Sequence, residues 1–417
     1  MKVYLRTFGC RANHYDTEVV RAMIETSGHA VVSSPGDADV AVFNSCAVTS
    51  EAEAELRKVV RHAARQQPAL RSIVMGCAAA LDHERPAAVQ ARALPSVERV
   101  IGGADLASLA EALNLPSSVS AGVTRVQTGT RALLRIQDGC DEHCTFCATT
   151  IARGANRSRP ADDLVREARS LAEHHSEVVI TGIHIGSYGA DIGLTLGGLM
   201  QRLVREVPAV RFRLSSIEAT ELDEALIELL AGAPRQLVPH LHAPLQSGSD
   251  PLLRRMGRHW YTAASYAAAI EGLSARMPVL GLGADIITGF PGETPDDHRA
   301  TVELVERLPF TYLHVFPYSP RPGTAATRLP NSVPSQMSSE RASELRELGA
   351  RKMAAYRVAR SGGCADVVVI GSAGRRDAMT GDYLSVIPAD PTLPRGARFD
   401  ARLVVEENRL LALPLER

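Results

Sequence analysis

The chain has 417 residues, more than one ordinary compact core accommodates, so the length predicts two or three domains. Hydrophobic residues make up 45% of the composition and charged residues 22%, and no run of about 18 apolar residues is long enough to cross a bilayer. Because the formal net charge is only -1, a polyanionic partner would need a local basic patch. The N-terminus shows no export or transit pattern, so we predict a cytoplasmic protein that is not associated with membranes.

The first segment alternates apolar strands with amphipathic helices, which predicts a parallel sheet built from βα units. The predicted strands cover 2–7, 38–44 and 72–76, and the predicted helices lie near 14–28, 50–66 and 85–93. A polar stretch without periodicity follows at 116–130 and predicts a linker. The segment 1–115 is therefore expected to form an N-terminal domain.

Three cysteines of this segment, Cys10, Cys46 and Cys77, each follow a predicted strand. Parallel strands end at the same edge of a sheet, so the three thiols are expected together at that edge. One cysteine in such a place is usually a small buried apolar residue, but three equivalent placements favour metal ligands. Without a fourth partner they suit an iron-sulfur cluster with one open iron, and a zinc site or a buried trio is the alternative.

The central segment 131–345 contains about six short apolar strands, each followed by a helix. This pattern predicts a full or partial (β/α) barrel with its site at the C-terminal ends of the strands. A connecting helix is predicted over 346–360, and the strand-rich tail 361–417 predicts a small β-barrel, an architecture common in nucleic-acid binding. The predicted fold class is α/β, with an N-terminal parallel sheet, a central partial barrel and a C-terminal β-barrel.

Directly after the first strand of this segment, Cys140, Cys144 and Cys147 form a C-x3-C-x2-C pattern. Three thiolates on a four-iron cluster leave one iron open to a chelating molecule such as S-adenosylmethionine. A structural zinc site, which normally needs four ligands, is the alternative. With Phe146 before the last cysteine, the pattern resembles the signature of the radical S-adenosylmethionine superfamily. The resemblance implies that these cysteines hold a 4Fe-4S cluster used to generate a 5'-deoxyadenosyl radical.

The two cysteine triads together resemble the methylthiotransferase family, and the likeness covers essentially the whole chain. It is carried by TFGCRANHYDTE, FNSCAVTSEAE, RIQDGCDEHCTFC, LHAPLQSGSDPLLRRMGR, ADIITGFPGE and HVFPYSPRPGTAA. The resemblance implies that Cys10, Cys46 and Cys77 hold a second, auxiliary 4Fe-4S cluster. One departure follows the central cysteines: family members commonly have an apolar pair and Pro-Tyr-Ala-Arg-Gly, whereas this chain has Ala-Thr-Thr-Ile-Ala-Arg-Gly at 148–154. That departure puts the orientation of the substrate in doubt.

The resemblance also implies contacts with S-adenosylmethionine, although turns and helix caps would explain the same residue types. The predicted cofactor-binding residues are Phe146, Thr181, Gly182, Ser216, Glu218, Gln246 and Asp285. Arg153, Arg157 and Arg159 crowd the loop after the central cysteines, where they are expected to meet a carboxylate or phosphate of the substrate or cofactor. A solvated charged loop is the alternative for these arginines. No residue is predicted as a catalytic acid or base.

The family divides by substrate, and TFGCRANHYDTE and GIHIGSYG most resemble the branch that acts on N6-threonylcarbamoyladenosine in tRNA. The expected product is 2-methylthio-N6-threonylcarbamoyladenosine, with the tRNA anticodon loop and an electron donor such as flavodoxin or ferredoxin as partners. The alternatives are isopentenyladenosine in tRNA and a ribosomal protein, whose branch usually has Pro-Lys-Asn after the first cysteine. Outside the family, a non-catalytic iron-sulfur RNA-binding protein or an electron-transfer protein is possible. Deletion after Ser361 is expected to weaken tRNA binding and to spare S-adenosylmethionine cleavage.

Overall fold

The computed structural model describes residues 1–47, 50–82, 90–116, 126–371, 377–406 and 409–415. These residues form two compact units, each assembled from separate segments. The first unit comprises Met1–Arg125, Gln137–Arg157 and Ser319–Arg328, and the second comprises Val126–Ile136, Ser158–Tyr318 and Leu329–Arg417. The central cysteine loop therefore belongs to the same unit as the N-terminal sheet. The predicted linker 116–130 lies largely outside the described residues, and the segments 1–115, 131–345 and 361–417 stay a prediction of domain organisation.

The first unit is built on a parallel five-stranded sheet in the order β2-β1-β3-β4-β5. Its strands are β1 Lys2–Thr7, β2 Ala30–Val32, β3 Val40–Ser45, β4 Arg71–Gly76 and β5 Val97–Gly102, and its helices are α1 Arg11–Thr26, α2 Ser50–Gln66, α3 Cys77–Ala80 and α4 Leu106–Ala112. The central strand β3 is buried along its whole length. Val42 packs into the core on one face of the sheet and Phe43 into the core on the other, as alternating side chains of a strand require.

Two expectations for this sheet need adjustment. The predicted helix near 85–93 falls mostly on residues that the structure does not describe, and Ala91–Ala93 form a single 3-10 turn. The strand β5 was not predicted because Glu98 and Arg99 interrupt its apolar pattern. Both residues are exposed at the edge of the sheet, where a strand tolerates charged side chains.

The central part of the second unit is a row of six parallel strands, β6-β9-β10 and β11-β12-β13. A single bridge between Ser216, just after β10, and His242 of β11 links the two groups of three. The strands are β6 Ala132–Arg135, β9 Glu177–Thr181, β10 Arg211–Leu214, β11 His240–His242, β12 Gly281–Thr288 and β13 Tyr312–Pro317. The intervening helices are α6 Ala161–Ala172, α7 Leu196–Glu206, α8 Glu224–Gly232, α9 Asp250–Arg255, α10 Ala263–Arg276 and α11 Pro295–Arg307. This arrangement confirms the predicted partial (β/α) barrel, and one large apolar cluster fills it.

The short elements β7 Gln137–Asp138, α5 Thr149–Arg153 and β8 Arg157–Ser158 lie around the central cysteine loop. A long helix, α12 Ser335–Arg360, leads into the C-terminal strands. Those strands form a closed five-stranded barrel, as predicted, and are β14 Cys364–Val369, β15 Ala378–Thr380, β16 Ser385–Pro388, β17 Arg398–Glu406 and β18 Arg409–Pro414. In the part of the chain that is described, no helix combines the length and the apolar character needed to span a bilayer.

A buried charge cluster joins the C-terminal barrel to the central sheet inside the second unit. The carboxylate of Glu177 forms ion pairs with Nη2 of Arg211 at 2.6 Å and with Nε of Arg213 at 2.8 Å. All three side chains have 0% exposure. Arg211 also donates to the carbonyl oxygens of Asp366 and Met379, and Arg213 donates to those of Thr380 and Gly381. We call Glu177, Arg211 and Arg213 the Glu177 cluster. It anchors the C-terminal strands to β9 and β10.

Candidate metal centres and strand-end residues

The N-terminal cysteines meet at one edge of the five-stranded sheet because three neighbouring strands end there. Ser45 and Gly76 are register partners at the ends of β3 and β4. Cys46 is the residue after β3, and Cys77 is the residue after β4. Cys10 follows β1, the other neighbour of β3, and occupies the N-cap of α1. Cys46 is buried, Cys77 half-buried and Cys10 exposed. The strand order and register thus place residues that are far apart in sequence at the same edge of the sheet.

Gly76 is the residue that lets Cys77 take this place. Its φ is +98°, and a Cβ atom there would collide with the carbonyl oxygen of Ser45 and with Oδ1 of Asn44. Any other residue would push β3 and β4 apart at the point where their cysteines emerge.

Arg153 lies beside Cys77 of this triad, and it is buried with 1% of its side chain exposed. Its Nε lies 3.2 Å from Sγ of Cys77. Its Nη2 donates to Asn13 Oδ1 at 2.6 Å and to Asp16 Oδ2 at 2.8 Å, and its Nη1 donates to Asp138 Oδ1 at 3.1 Å. We call this group the Arg153 cluster. The structure encloses the guanidinium of Arg153 beside Cys77, and its expected contact with a carboxylate or phosphate of the substrate or cofactor stays a prediction.

The Arg153 guanidinium beside Cys77 suits a thiolate that is bound to a metal group. Burial raises the pKa of the Cys77 thiol, and the neighbouring Arg153 opposes that rise. A buried thiolate needs a positive charge or a hydrogen-bond donor beside it, and Arg153 supplies both. The residues around the N-terminal triad therefore fit a thiolate-ligated metal group.

The central cysteine loop is organised locally. Gly139 has φ +75°, and a Cβ atom on it would collide with the carbonyl oxygen of Ala155. The amide of Cys140 donates to the carbonyl of Gly154 at 3.0 Å, so the beginning and the end of the loop are held together. Only glycine permits that close approach.

Backbone amides reach two of the central sulfurs. The amide nitrogen of Glu142 lies 3.4 Å from Sγ of Cys140, and that of Thr149 lies 3.4 Å from Sγ of Cys147. Cys140, Cys144 and Cys147 are all half-buried, as is Phe146. Amide donors and partial exposure fit thiolates that hold a cluster open to a small molecule.

The other two predicted arginines differ from Arg153 and from each other. Arg157 is exposed, with 60% of its side chain accessible, and lies 3.8 Å from Asp138. Arg159 pairs with Glu167 at 2.7 Å and donates to the carbonyl of Arg135. Of the three, Arg157 is thus the one whose side chain extends into solvent.

The predicted strand-end residues of the second unit belong to neighbouring strands. Thr181 ends β9 and Gly182 follows it, Ser216 and Glu218 follow β10, and Gln246 follows β11 and bridges to Ile286 of β12. Asp285 differs, because β12 continues beyond it to Thr288. The side chain of Asp285 therefore projects from the strand and not from the loop that follows it.

Glu218 is buried and forms an ion pair with Arg258. Burial raises the pKa of the Glu218 carboxyl, and Arg258 opposes that rise. The guanidinium of Arg258 also lies 4.8 Å from the ring centre of Trp260 and 4.9 Å from that of Tyr261. Sequence reasoning missed Arg258, although it ends the quoted motif LLRRMGR.

Asp285 is the centre of a hydrogen-bonded group that sequence reasoning also missed. Its Oδ1 accepts from Nε2 of His242 at 3.1 Å and from Nδ1 of His314 at 3.2 Å. Burial alone would raise the pKa of Asp285, but the two histidine hydrogen bonds lower it well below its usual range. The hydroxyl of Tyr312 lies between His240 Nε2 and His242 Nδ1, at 2.8 Å and 3.0 Å. The alternation in HLH, which puts both histidines on one side of β11, was the available signal.

Comparison with known proteins adds to this geometry. The model of the Uncharacterized protein family UPF0004 matches residues 2–97, and that of the Radical SAM superfamily matches 134–305. The solved structure of the radical S-adenosylmethionine methyltransferase TsrM from Kitasatospora setae has a TM-score of 0.59 at 16% identity, covering 78% of this chain and 76% of that one. The fold is therefore that of the radical S-adenosylmethionine enzymes.

Two curated relatives identify the family within the radical S-adenosylmethionine enzymes. The chain is 35% identical to the threonylcarbamoyladenosine tRNA methylthiotransferase MtaB of Thermotoga maritima, over 83% of this chain and 81% of the relative. It is also 35% identical to the tRNA-2-methylthio-N(6)-dimethylallyladenosine synthase of a Parafrankia species, over 90% of this chain and 79% of the relative. The chain belongs to the radical S-adenosylmethionine methylthiotransferase family.

Proposed function

We propose that this protein methylthiolates N6-threonylcarbamoyladenosine next to the anticodon of tRNA, forming 2-methylthio-N6-threonylcarbamoyladenosine. The observation that carries the proposal is the presence of two cysteine triads in one compact unit, each beside hydrogen-bond donors that suit thiolates. The name of the Thermotoga maritima relative supports the choice of substrate.

In this proposal, Cys140, Cys144 and Cys147 hold one 4Fe-4S cluster, and Cys10, Cys46 and Cys77 hold the other. When bound, the first cluster supplies the electron for reductive cleavage of S-adenosylmethionine and the second supplies the sulfur that is inserted. The chain's own residues orient the reactants. The strand-end residues that would bind S-adenosylmethionine are Thr181, Gly182, Ser216, Glu218, Gln246 and Asp285, with Phe146 beside the central cysteines.

The exposed Arg157 is the arginine proposed to meet a phosphate or carboxylate of the substrate, because a guanidinium binds either group in a bidentate manner. An exposed base of an anticodon loop can be turned into a pocket at lower cost than a paired base. A low-potential donor such as flavodoxin or ferredoxin and a cytoplasmic location complete the proposal.

The dimethylallyladenosine substrate is the second candidate, because the Parafrankia relative matches a larger share of this chain at the same identity. The two candidates predict different nucleosides. Mass spectrometry of tRNA nucleosides after reaction with each precursor tRNA therefore separates them.

The test uses two triple variants of the full chain. Replacing Cys140, Cys144 and Cys147 by Ala should remove about half of about eight irons and abolish release of 5'-deoxyadenosine. Replacing Cys10, Cys46 and Cys77 by Ala should remove the other half, keep 5'-deoxyadenosine and abolish the methylthio nucleoside.

Circular dichroism controls for folding, because metal binding is coupled to folding. Unchanged iron in the central variant, or methylthio product from the N-terminal variant, contradicts the proposal. Iron-loaded protein that binds RNA but never releases 5'-deoxyadenosine would instead indicate a non-catalytic binding protein.

A further inference from the structure

We infer that Arg153 is a positioning residue for the N-terminal triad, whose hydrogen bond to Cys77 raises the reduction potential of the group that this triad holds. The inference rests on the proposed function, because it takes Cys10, Cys46 and Cys77 as cluster ligands. It goes beyond that function by assigning a redox role to a residue that holds no metal.

The geometry aims one particular N–H bond at the sulfur. Asn13, Asp16 and Asp138 occupy the two terminal nitrogens of Arg153, at 2.6 to 3.1 Å. The remaining nitrogen, Nε, points to Sγ of Cys77 at 3.2 Å. The planar guanidinium therefore cannot rotate this N–H away without breaking bonds to buried acceptors.

The backbone of Arg153 is held as well. Nη2 of Arg157 donates to the carbonyl oxygen of Arg153 at 3.0 Å, and Gly154 follows with φ +71° to end the short helix α5. Because α5 begins at Thr149, directly after the central cysteines, the segment that carries one triad also delivers the donor to the other. A lysine has no Nε–H of this geometry and could not reproduce the contact.

A hydrogen bond to a ligating sulfur stabilises the reduced, more negative state of a cluster more than the oxidised state. The effect is stronger where water is excluded, and only 1% of the Arg153 side chain is exposed. The positive charge by itself contributes less, because Asp16 and Asp138 neutralise it. The directional N–H bond is the part of the interaction that should set the potential.

The experiment measures the potential of the auxiliary cluster alone. In the full chain with Cys140, Cys144 and Cys147 replaced by Ala, the reconstituted cluster is titrated with dithionite and followed by electron paramagnetic resonance. Arg153→Gln should shift the midpoint potential to more negative values. Arg71→Gln removes the same charge from a half-exposed ion pair at the start of β4, at the opposite end of that strand from Cys77, and should leave the midpoint in place.

The double variant Asp16→Asn with Arg153→Gln separates the hydrogen bond from the charge balance. The double variant has no carboxylate at position 16, so it avoids the unpaired buried charge that Arg153→Gln alone would create. It therefore gives a midpoint potential even if the single variant does not fold. We expect its midpoint to stay below that of the background chain, and Arg153→Lys to restore the midpoint only in part.

A midpoint that Arg153→Gln leaves unchanged, or that returns to the background value in the double variant, overturns the inference. Absence of any cluster in the background chain is a different result, because it contradicts the assignment of Cys10, Cys46 and Cys77 on which the proposed function rests.

Discussion

The Arg153 cluster and the Glu177 cluster bury charge in different ways. In the Glu177 cluster, two arginines share one carboxylate and give their remaining N–H groups to backbone carbonyls. In the Arg153 cluster, one arginine meets two carboxylates, an amide and a thiol. In the first, every acceptor is a carboxylate or a backbone carbonyl, so a structural role accounts for all of its contacts. The second includes a predicted metal ligand, and a purely structural role leaves that contact unexplained.

The largest expected effect comes from Glu177→Gln. It leaves Arg211 and Arg213 buried without their shared carboxylate, and removing one partner of a buried ion pair typically costs about 3–5 kcal/mol. Glu271→Gln is the matched control, because Glu271 pairs with Arg307 while half exposed and such pairs contribute at most about 1 kcal/mol. Urea unfolding of the apoprotein, followed by circular dichroism, gives both values. Equal losses for the two variants would show that the Glu177 cluster is not a structural anchor.

A smaller effect is expected from Gly139→Ala, which disturbs the Arg153 cluster through the backbone. The new Cβ would collide with the carbonyl of Ala155, two residues after Arg153, and local backbone strain of this kind costs about 3 kcal/mol. Gly193→Ala is the control: its φ is +70° but nothing lies within 4 Å, so only the conformational cost of about 1–2 kcal/mol applies.

The measurements for this pair are the urea midpoint of the apoprotein and the iron content after reconstitution. Gly139→Ala should lose iron, whereas Gly193→Ala should keep all of it. Full iron loading of Gly139→Ala would mean that the loop tolerates a displaced end, and that the Arg153 cluster does not depend on the Gly139 contact.

The smallest effect is a pH dependence of the Glu177 cluster. Burial alone would raise the pKa of Glu177, but Arg213 and Arg211 lower it well below its usual range. A depressed pKa in the folded state gives stability that is complete above the unfolded value of about 4.3 and is lost as the pH falls through the folded value. The stability difference between the native chain and Glu177→Gln should thus be constant from pH 7 to pH 5.5 and shrink below pH 4. A difference that grows on acidification would contradict this assignment.

The sequence alone could predict that the central cysteines lie close together, because they are near neighbours in the chain. Cys140, Cys144 and Cys147 lie within one short loop, so spacing alone carries the information. Cys10, Cys46 and Cys77 were harder, since their meeting depends on the order of β1, β3 and β4 in the sheet. Repeated placement after apolar strands was sufficient, because parallel strands share an edge.

The contacts of Arg153 could not be predicted in this way. Asn13 and Asp16 of α1, Cys77 and Asp138 come from three separate parts of the chain, and nothing in their local patterns shows that one guanidinium joins them. Sequence reasoning therefore put Arg153 with its neighbours Arg157 and Arg159 on a charged loop. Side-chain partners across distant segments require the packed structure.

The attachment of the C-terminal barrel affects how this protein can be divided or recombined. Arg211 and Arg213 have carbonyl partners in residues 366–381, so deletion after Ser361 would strip partners from two buried cations. After such a truncation, loss of RNA binding could not be told apart from damage to the central partial barrel. The sequence alone led us to expect that S-adenosylmethionine cleavage would be spared. For the same reason, a chimaera with the C-terminal barrel of a relative should succeed only if the donor presents carbonyls at matching positions. Exchange of this domain during evolution is subject to the same restriction, so the two parts are expected to have been inherited together.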